Sequence, residues 1–205
     1  MIPFPDKKYS IIYADPPWSY SDSGCSGAAA AQYATMSINE LKQLPVNPAG
    51  GGVLCFTRWD VQQVFIDALR LAGLTVKSVI VWDKKAHGMG DLKGSFAPRY
   101  EAIIFATKGR YELPGKRPDD LIACAKVGNQ SLTHPNEKPV ALLEQLIEAT
   151  TIPGALILDP FAGSGSTLAA AAKTGRQYIG IEIDEQYSKL AATRAAEHHQ
   201  KGETT

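Results

Sequence analysis

Asp15, Pro16, Pro17 and Trp18 stand directly behind an apolar run, Tyr9 to Ala14 (YSIIYA), whose composition predicts a β-strand. Open α/β sheets gather their ligands at the C-terminal ends of strands, so the tetrapeptide is expected at the mouth of a pocket. The two prolines fix the backbone and remove N–H donors, leaving the carbonyls of Asp15 and Pro16 as acceptors beside the Asp15 carboxylate. Such a site suits an exocyclic amine, whose lone pair is delocalised into its ring. If the Asp15 carboxylate and the Pro16 carbonyl each accept one N–H, the nitrogen is drawn toward sp³ geometry and its lone pair is aimed at an electrophile. Positive charge then develops next to Asp15. Trp18 offers a flat face on which a base can stack. Taken alone, the four residues fit a tight turn with a packing tryptophan equally well.

A second segment supplies a partner for that chemistry. Leu156-Ile157-Leu158 is a short β run ending in Asp159, followed by Pro160 to Gly165 and an Ala-rich helix from Ser166 to Lys173 that Gly175 closes. Gly163 and Gly165 permit positive φ and let a ligand approach the backbone, and the helix N-terminus behind them offers unpaired N–H groups. Tyr178 to Ile181 is a further β run, with Glu182 at its end, where a carboxylate can accept hydrogen bonds from both hydroxyls of a ribose. The loop lacks the lysine of a phosphate-binding loop, and Leu168 stands where the dinucleotide fingerprint has its third glycine, which disfavours ATP and NAD. An adenosine carrying an amino acid and a sulfonium fits better. Asp159 can meet the ammonium or the nearby cation, Phe161 can cover an apolar edge and Glu182 can hold the ribose. S-adenosylmethionine is the expected cofactor.

The remaining pattern alternates strands and helices. Ser37-Ile38-Asn39-Glu40 has the form of a capping box opening a helix through Leu44, and Gly52 to Thr57 is a β run. Val61, Val64, Phe65, Ala68, Leu69 and Ala72 recur at helical spacing, with Asp60 expected as N-cap and Gly73 as the stop. Val76 to Trp82 and Ala102 to Ala106 read as strands. A helix Val140 to Ala149 follows Pro139, which suits a first helical position, and a terminal helix begins at Glu185. Six strands are expected, in a mostly parallel, helix-covered α/β sheet, with none after the last helix. The tail, Gly202 to Thr205, is expected to be disordered.

Between these two segments lies His134-Pro135-Asn136-Glu137-Lys138-Pro139. The three together, in this order, resemble the permuted β-class amino-methyltransferases, and the D-P-P-W form resembles the adenine-N6 branch of that family. The resemblance covers nearly the whole chain. It implies a Rossmann-like methyltransferase fold with circularly permuted motif order, in one domain over residues 1–205, methylating adenine N6 in DNA. Asp15, Pro16, Pro17 and Trp18 would be catalytic. His134, Asn136 and Lys138 would line the methionine end or adenosine edge of the cofactor pocket, with Asp159, Phe161, Gly163, Gly165 and Glu182. RNA is the closest alternative substrate, because relatives with this segment act on both polymers. A non-catalytic nucleic-acid-binding subunit of the same fold is a further alternative, although a degenerate copy should have lost the motif residues that are present here.

Composition is compatible with this picture. The chain has 205 residues, with 21 basic and 21 acidic side chains, so any DNA-binding face must be a local patch. Two irregular stretches are candidates. Ser19 to Ala34 carries Tyr20 and Tyr33 and could close over a flipped base. Lys84 to Tyr100 carries Lys84, Lys85, His87, Lys93 and Arg99 and is suited to phosphate contacts. Fewer than thirty residues separate Ala106 from His134, too few for a separate target-recognition domain. Recognition is therefore expected to be short or relaxed, as in an orphan enzyme of a phage or mobile element. Cys25, Cys55 and Cys124 show neither zinc-site spacing nor even pairing, which points to reduced thiols, no metal and a cytoplasmic setting. No apolar stretch is long enough to span a bilayer, and monomer and homodimer both stay open.

Overall fold

The computed structural model describes residues 7, 9–16, 51–88, 92–115, 117–128, 134 and 136–199. Pro17, Trp18, the expected helix at Ser37 to Leu44, the stretch Ser19 to Ala34 and the tail Gly202 to Thr205 lie outside them.

Seven strands form one sheet: β1 (Ile11–Ala14), β2 (Gly52–Thr57), β3 (Thr75–Asp83), β4 (Tyr100–Thr107), β5 (Leu121–Ala123), β6 (Leu156–Asp159) and β7 (Gln177–Gly180), in the order β5-β3-β4-β2-β1-β6-β7. The helices are α1 (Gln62–Leu71), α2 (Val140–Thr150), α3 (Ser166–Lys173) and α4 (Glu185–His199). β1 runs parallel to both β2 and β6, and β6 parallel to β7. β4 is antiparallel to both of its neighbours, β2 and β3, while β3 and β5 are parallel. One strand is thus reversed among six that end at the same edge.

The chain leaves β1 toward β2 on one side and leaves β6 toward β7 on the other, so a crevice opens at the C-terminal ends of β1 and β6. Alternation along β1 divides the core. Ile11 and Tyr13 join Phe56, Ile103, Leu142, Leu146 and Ala170 on the face covered by α2 and α3. Ile12 and Ala14 join Val53, Phe65, Leu69 and Leu158 on the face covered by α1. All four β1 residues are buried, as a central parallel strand requires. α4 packs on α3 through Ala191 and Ala195 against Leu168 and Ala162.

The structure differs from the expected elements in three places. A seventh strand, β5, lies at the sheet edge beyond β3; it has three residues, too few to show a period, and backbone bonds from Val81 N to Asp120 O and from Cys124 N to Asp83 O bracket it. Asp60 does not cap α1. Val61 is the N-cap, and the Asp60 carboxylate instead accepts two hydrogen bonds from the Arg58 guanidinium, at 3.1 and 2.8 Å. Pro139 is the N-cap of α2 and not its first helical residue; with ψ at 129° it is still extended, and its carbonyl accepts from Leu142 N and Leu143 N. Among the described residues no helix is long and apolar enough to cross a membrane.

Two left-handed glycines separate conformation from packing. Gly165, at φ +80°, has α4 pressed against it, and a Cβ there would lie 2.6 Å from Ala191 Cα. Gly175, at φ +71°, has open space where its Cβ would be. Gly175→Ala is expected to cost about 1 kcal/mol in urea unfolding, from the left-handed backbone alone, and Gly165→Ala about 3 kcal/mol or more, because α4 must also shift.

Candidate active site

Asp15 follows β1 and Asp159 closes β6, on neighbouring strands, while Glu182 lies just beyond β7. Three carboxylates therefore converge on the crevice. Asp159 is buried at 5% exposure and its Oδ1 accepts from Phe161 N at 2.9 Å. Burial pushes its pKa up to about 6, opposed by hydrogen bonds from Thr167 and Phe161 and reinforced by the negative charges of Asp15 and Glu182. Asp15 is also raised above its ordinary value, by burial first; Lys138 opposes the shift and Glu101 adds to it.

The glycine loop is organised from within. Glu182 Oε2 accepts from Gly163 N at 2.8 Å and its Oε1 from Asp184 N at 2.9 Å. Ala162 N donates to Ile181 O, and Gly165 N to Ala162 O. The amides of residues 161, 162, 163 and 165 thus already have partners within the protein, which narrows the expected set of unpaired N–H groups. A ligand at this loop meets carboxylates rather than a ring of amide donors. Gly163 has φ +51° and a Cβ there would meet His134 Nε2 at an ordinary 3.6 Å, whereas Gly165 admits α4. Phe161 packs partly buried against the core face that α1 covers.

The HPNEKP segment divides its roles. His134 Nδ1 accepts from Asn136 N at 3.2 Å, so the neutral ring carries its proton on Nε2, over Gly163. Burial lowers the His134 pKa, while Glu182 and Asp15 counter the shift, and the ring meets Tyr187 edge-on with centroids 4.6 Å apart. The Asn136 side chain is exposed. Lys138 reaches away from the glycine loop to Asp15: its Nζ lies 2.7 Å from Asp15 Oδ2, 3.5 Å from Glu101 Oε2 and 5.3 Å from the centroid of the Phe56 ring. Burial alone would lower the Lys138 pKa, but the two carboxylates hold it above its ordinary value, and the group is an ammonium.

Sequence reasoning passed over several residues that shape this site. Glu101, near the start of β4, contacts Lys138 and also Lys84 Nζ, at 2.5 Å. Burial would raise its pKa, yet the two ammoniums bring it below its ordinary value. Glu137, its side chain 2% exposed, pairs with Arg194 of α4 at 2.6 Å, and Arg194 also donates to Ser164 and Ser166. Arg194 thereby joins the segment before α2 to the start of α3. A buried acid one residue from a motif lysine was the available signal, but its partner lies far along the chain. In the basic stretch after β3, the Arg99 guanidinium is bidentate to Asp83, Lys85 Nζ lies 3.8 Å from the same carboxylate and Lys84 is paired with Glu101, so three of its five basic groups have acidic partners within the fold.

A family model described as DNA methylase matches residues 115–193, a stretch that includes His134 and Glu182 but not Asp15. Over 201 residues the chain is 35% identical to YubD of Escherichia coli (strain K12), which is named as a methylase; the match covers 96% of this chain and 86% of YubD. The chain belongs to the DNA methylase family. This DNA methylase is also 28% identical over 232 residues to the DNA adenine methyltransferase YhdJ of the same strain, covering 93% and 77% of the two chains. The crystal structure of the M1.HpyAVI–SAM complex superposes on it with a TM-score of 0.71 at 26% identity, over 91% of this chain and 88% of that one.

The Asp159 carboxyl gives the methylase a testable pH signature. Its pKa is about 6 in the folded state against an ordinary 3.8, so between these values the folded state holds more protons than the unfolded one. Stability from this group is complete below the unfolded value and is lost as pH rises through about 6. Asp159→Asn, which keeps an acceptor for Phe161 N, is expected to raise unfolding stability without cofactor at about pH 8 by ~2 kcal/mol, a gain that vanishes near pH 4 in urea titrations.

Proposed function

We propose that this chain transfers a methyl group from S-adenosylmethionine to the N6 amine of adenine in DNA. The supporting observation is the convergence of Asp15, behind β1, with the carboxylates of Asp159 and Glu182 in a single crevice. Lys138 partners Asp15, but no cation acts on the buried Asp159 carboxyl among the described residues, and S-adenosylmethionine carries two positive groups, its ammonium and its sulfonium. Asp159 would face that positive end, Glu182 would hold the ribose while bracing Gly163, and His134 Nε2, over the loop, would line the pocket with Asn136, Phe161 and the two loop glycines. Bound there, the cofactor supplies an electrophilic methyl group on a cationic sulfur.

The protein's part is to orient the amine and stabilise its charge. The Asp15 carboxylate and the Pro16 carbonyl accept the two N–H bonds, and Asp15 stabilises positive charge as it develops on nitrogen. Trp18 and Pro17 complete the segment, the indole as a stacking surface. DNA approach is assigned to the loop between β3 and β4, where Phe96 is fully exposed and Leu92 is 80% exposed beside Lys93. The names of the relatives, a DNA adenine methyltransferase among them, support DNA as the polymer.

Asp15→Ala is expected to lower methyl transfer to unmethylated duplex DNA by ~10²–10³-fold while keeping the thermal shift given by S-adenosylmethionine. Turnover like that of the unmodified chain would overturn the mechanism, and activity confined to RNA in a parallel assay would overturn the polymer. Cofactor affinity is expected to fall as pH drops through about 6, because a bound cation favours ionised Asp159; calorimetry at several pH values reads this directly.

A further inference from the structure

We propose that Glu101 is a positioning residue for methyl transfer: its carboxylate gives the Lys138 ammonium a second seat, so that Asp15 can release that ammonium when the target amine arrives. The inference rests on Asp15 as the amine's acceptor.

Asp15 Oδ2 is engaged before any substrate enters, by Lys138 Nζ at 2.7 Å. The same oxygen, or its partner on the same carboxylate, must take an N–H of the amine and then face the positive charge that forms on it. An ammonium held there opposes both steps, by occupying the acceptor and by repelling the new cation. Lys138 has nowhere to go in solvent, since its side chain is only 13% exposed. It does have Glu101 Oε2, already only 3.5 Å away, while the same ammonium lies over the Phe56 ring. Turning the end of the lysine chain exchanges one carboxylate for the other.

The fold explains why Glu101 is present and why it stays still. β4 is the reversed strand of the sheet, so its first residues, not its last, lie at the edge where β1 ends. β2 separates β4 from β1, and Phe56 of β2 is the residue over which Lys138 spans the gap. The second Glu101 oxygen is held by Lys84 Nζ at 2.5 Å, and that ammonium in turn overlies the Trp82 ring at 5.4 Å. Lys84, Glu101, Lys138 and Asp15 form an alternating chain of charge with zero net sum, in which Lys138 is the member able to exchange partners.

The test uses the full chain, tritiated S-adenosylmethionine and unmethylated genomic duplex DNA, with melting curves for every variant. Glu101→Gln removes the second seat and is expected to lower kcat about tenfold while leaving KM for the cofactor within about twofold. Adding Lys138→Met to that variant removes the trapped cation and is expected to recover most of the loss, a reversal that a purely structural Glu101 would not give. If Glu101→Gln does not fold, Glu101→Asp retains the charge one methylene farther off and is expected to show a smaller loss, again reversed by Lys138→Met. Unchanged kcat in the folded Glu101 variant, or losses that simply add in the double variant, would overturn the proposal. Asp15→Asn separates the two levels. If it is as active as the unmodified chain, the amine-acceptor reading fails; if it is inactive while the Glu101 variant is not, only the role of Glu101 fails.

Discussion

Carboxylates gathered at one edge of a sheet repel each other, and much of the polar structure around the crevice responds to that repulsion. Asp15 follows β1, Asp159 closes β6 and Glu182 lies beyond β7, and Glu101 arrives from the opposite direction on β4. Each is balanced differently. Glu101 has two ammoniums and sits below its ordinary pKa. Asp15 has one, which does not fully offset its burial. Among the described residues Asp159 has hydrogen bonds but no cationic partner, and it is raised to about 6. Glu182 accepts backbone N–H groups from residues 163 and 184. The gradient runs from a fully neutralised acid on one side of the crevice to an unneutralised one on the other, and the uncompensated side adjoins the glycine loop. A cation placed beside Asp159 would favour its ionised form.

How much of this was legible in the sequence depended on distance along the chain. The strand, glycine turn and helix from β6 through Gly163 and Gly165 into α3 are contiguous in sequence, so the strand, the helix and the stop at Gly175 could be placed from pattern alone. Glu182 is near enough for its position behind a β run to be read. The bond from Lys138 to Asp15 is different in kind: the two residues are 123 positions apart, and only the sheet order brings them together. Periodicity finds faces and ends but not partners. The same holds for Glu137 with Arg194, where a motif residue given no role proved buried and paired.

Local misreadings had local causes. Asp60 had the chemistry of a helix cap, but an arginine two residues earlier competed for its carboxylate and won. β5 was missed because three residues cannot display alternation, and its pairing is set by β3 rather than by its own composition. Gly165 was read for its backbone freedom beside a ligand, and the structure adds a packing constraint that pattern did not show, since α4 fills the space a Cβ would need. Helix α4 therefore contacts the cofactor-loop segment at Gly165 and, through Arg194, at Ser164 and Ser166, with Glu137 as the tie to the segment before α2.

The pairing of β1 with both β2 and β6 has a consequence for the nascent chain. β1 and β2 emerge from the ribosome early, whereas β6, which covers the other edge of β1, is made more than a hundred residues later. Until then a fully buried strand of the finished sheet keeps one edge uncovered, with Ile11 and Ile12 awaiting Ile157 and Leu158. The middle of the molecule is sealed nearly last, by contacts of high sequence separation, which slows folding and prolongs the interval in which that edge can pair wrongly. A growing chain of this design carries Asp15 long before the strand that supplies the other half of the crevice.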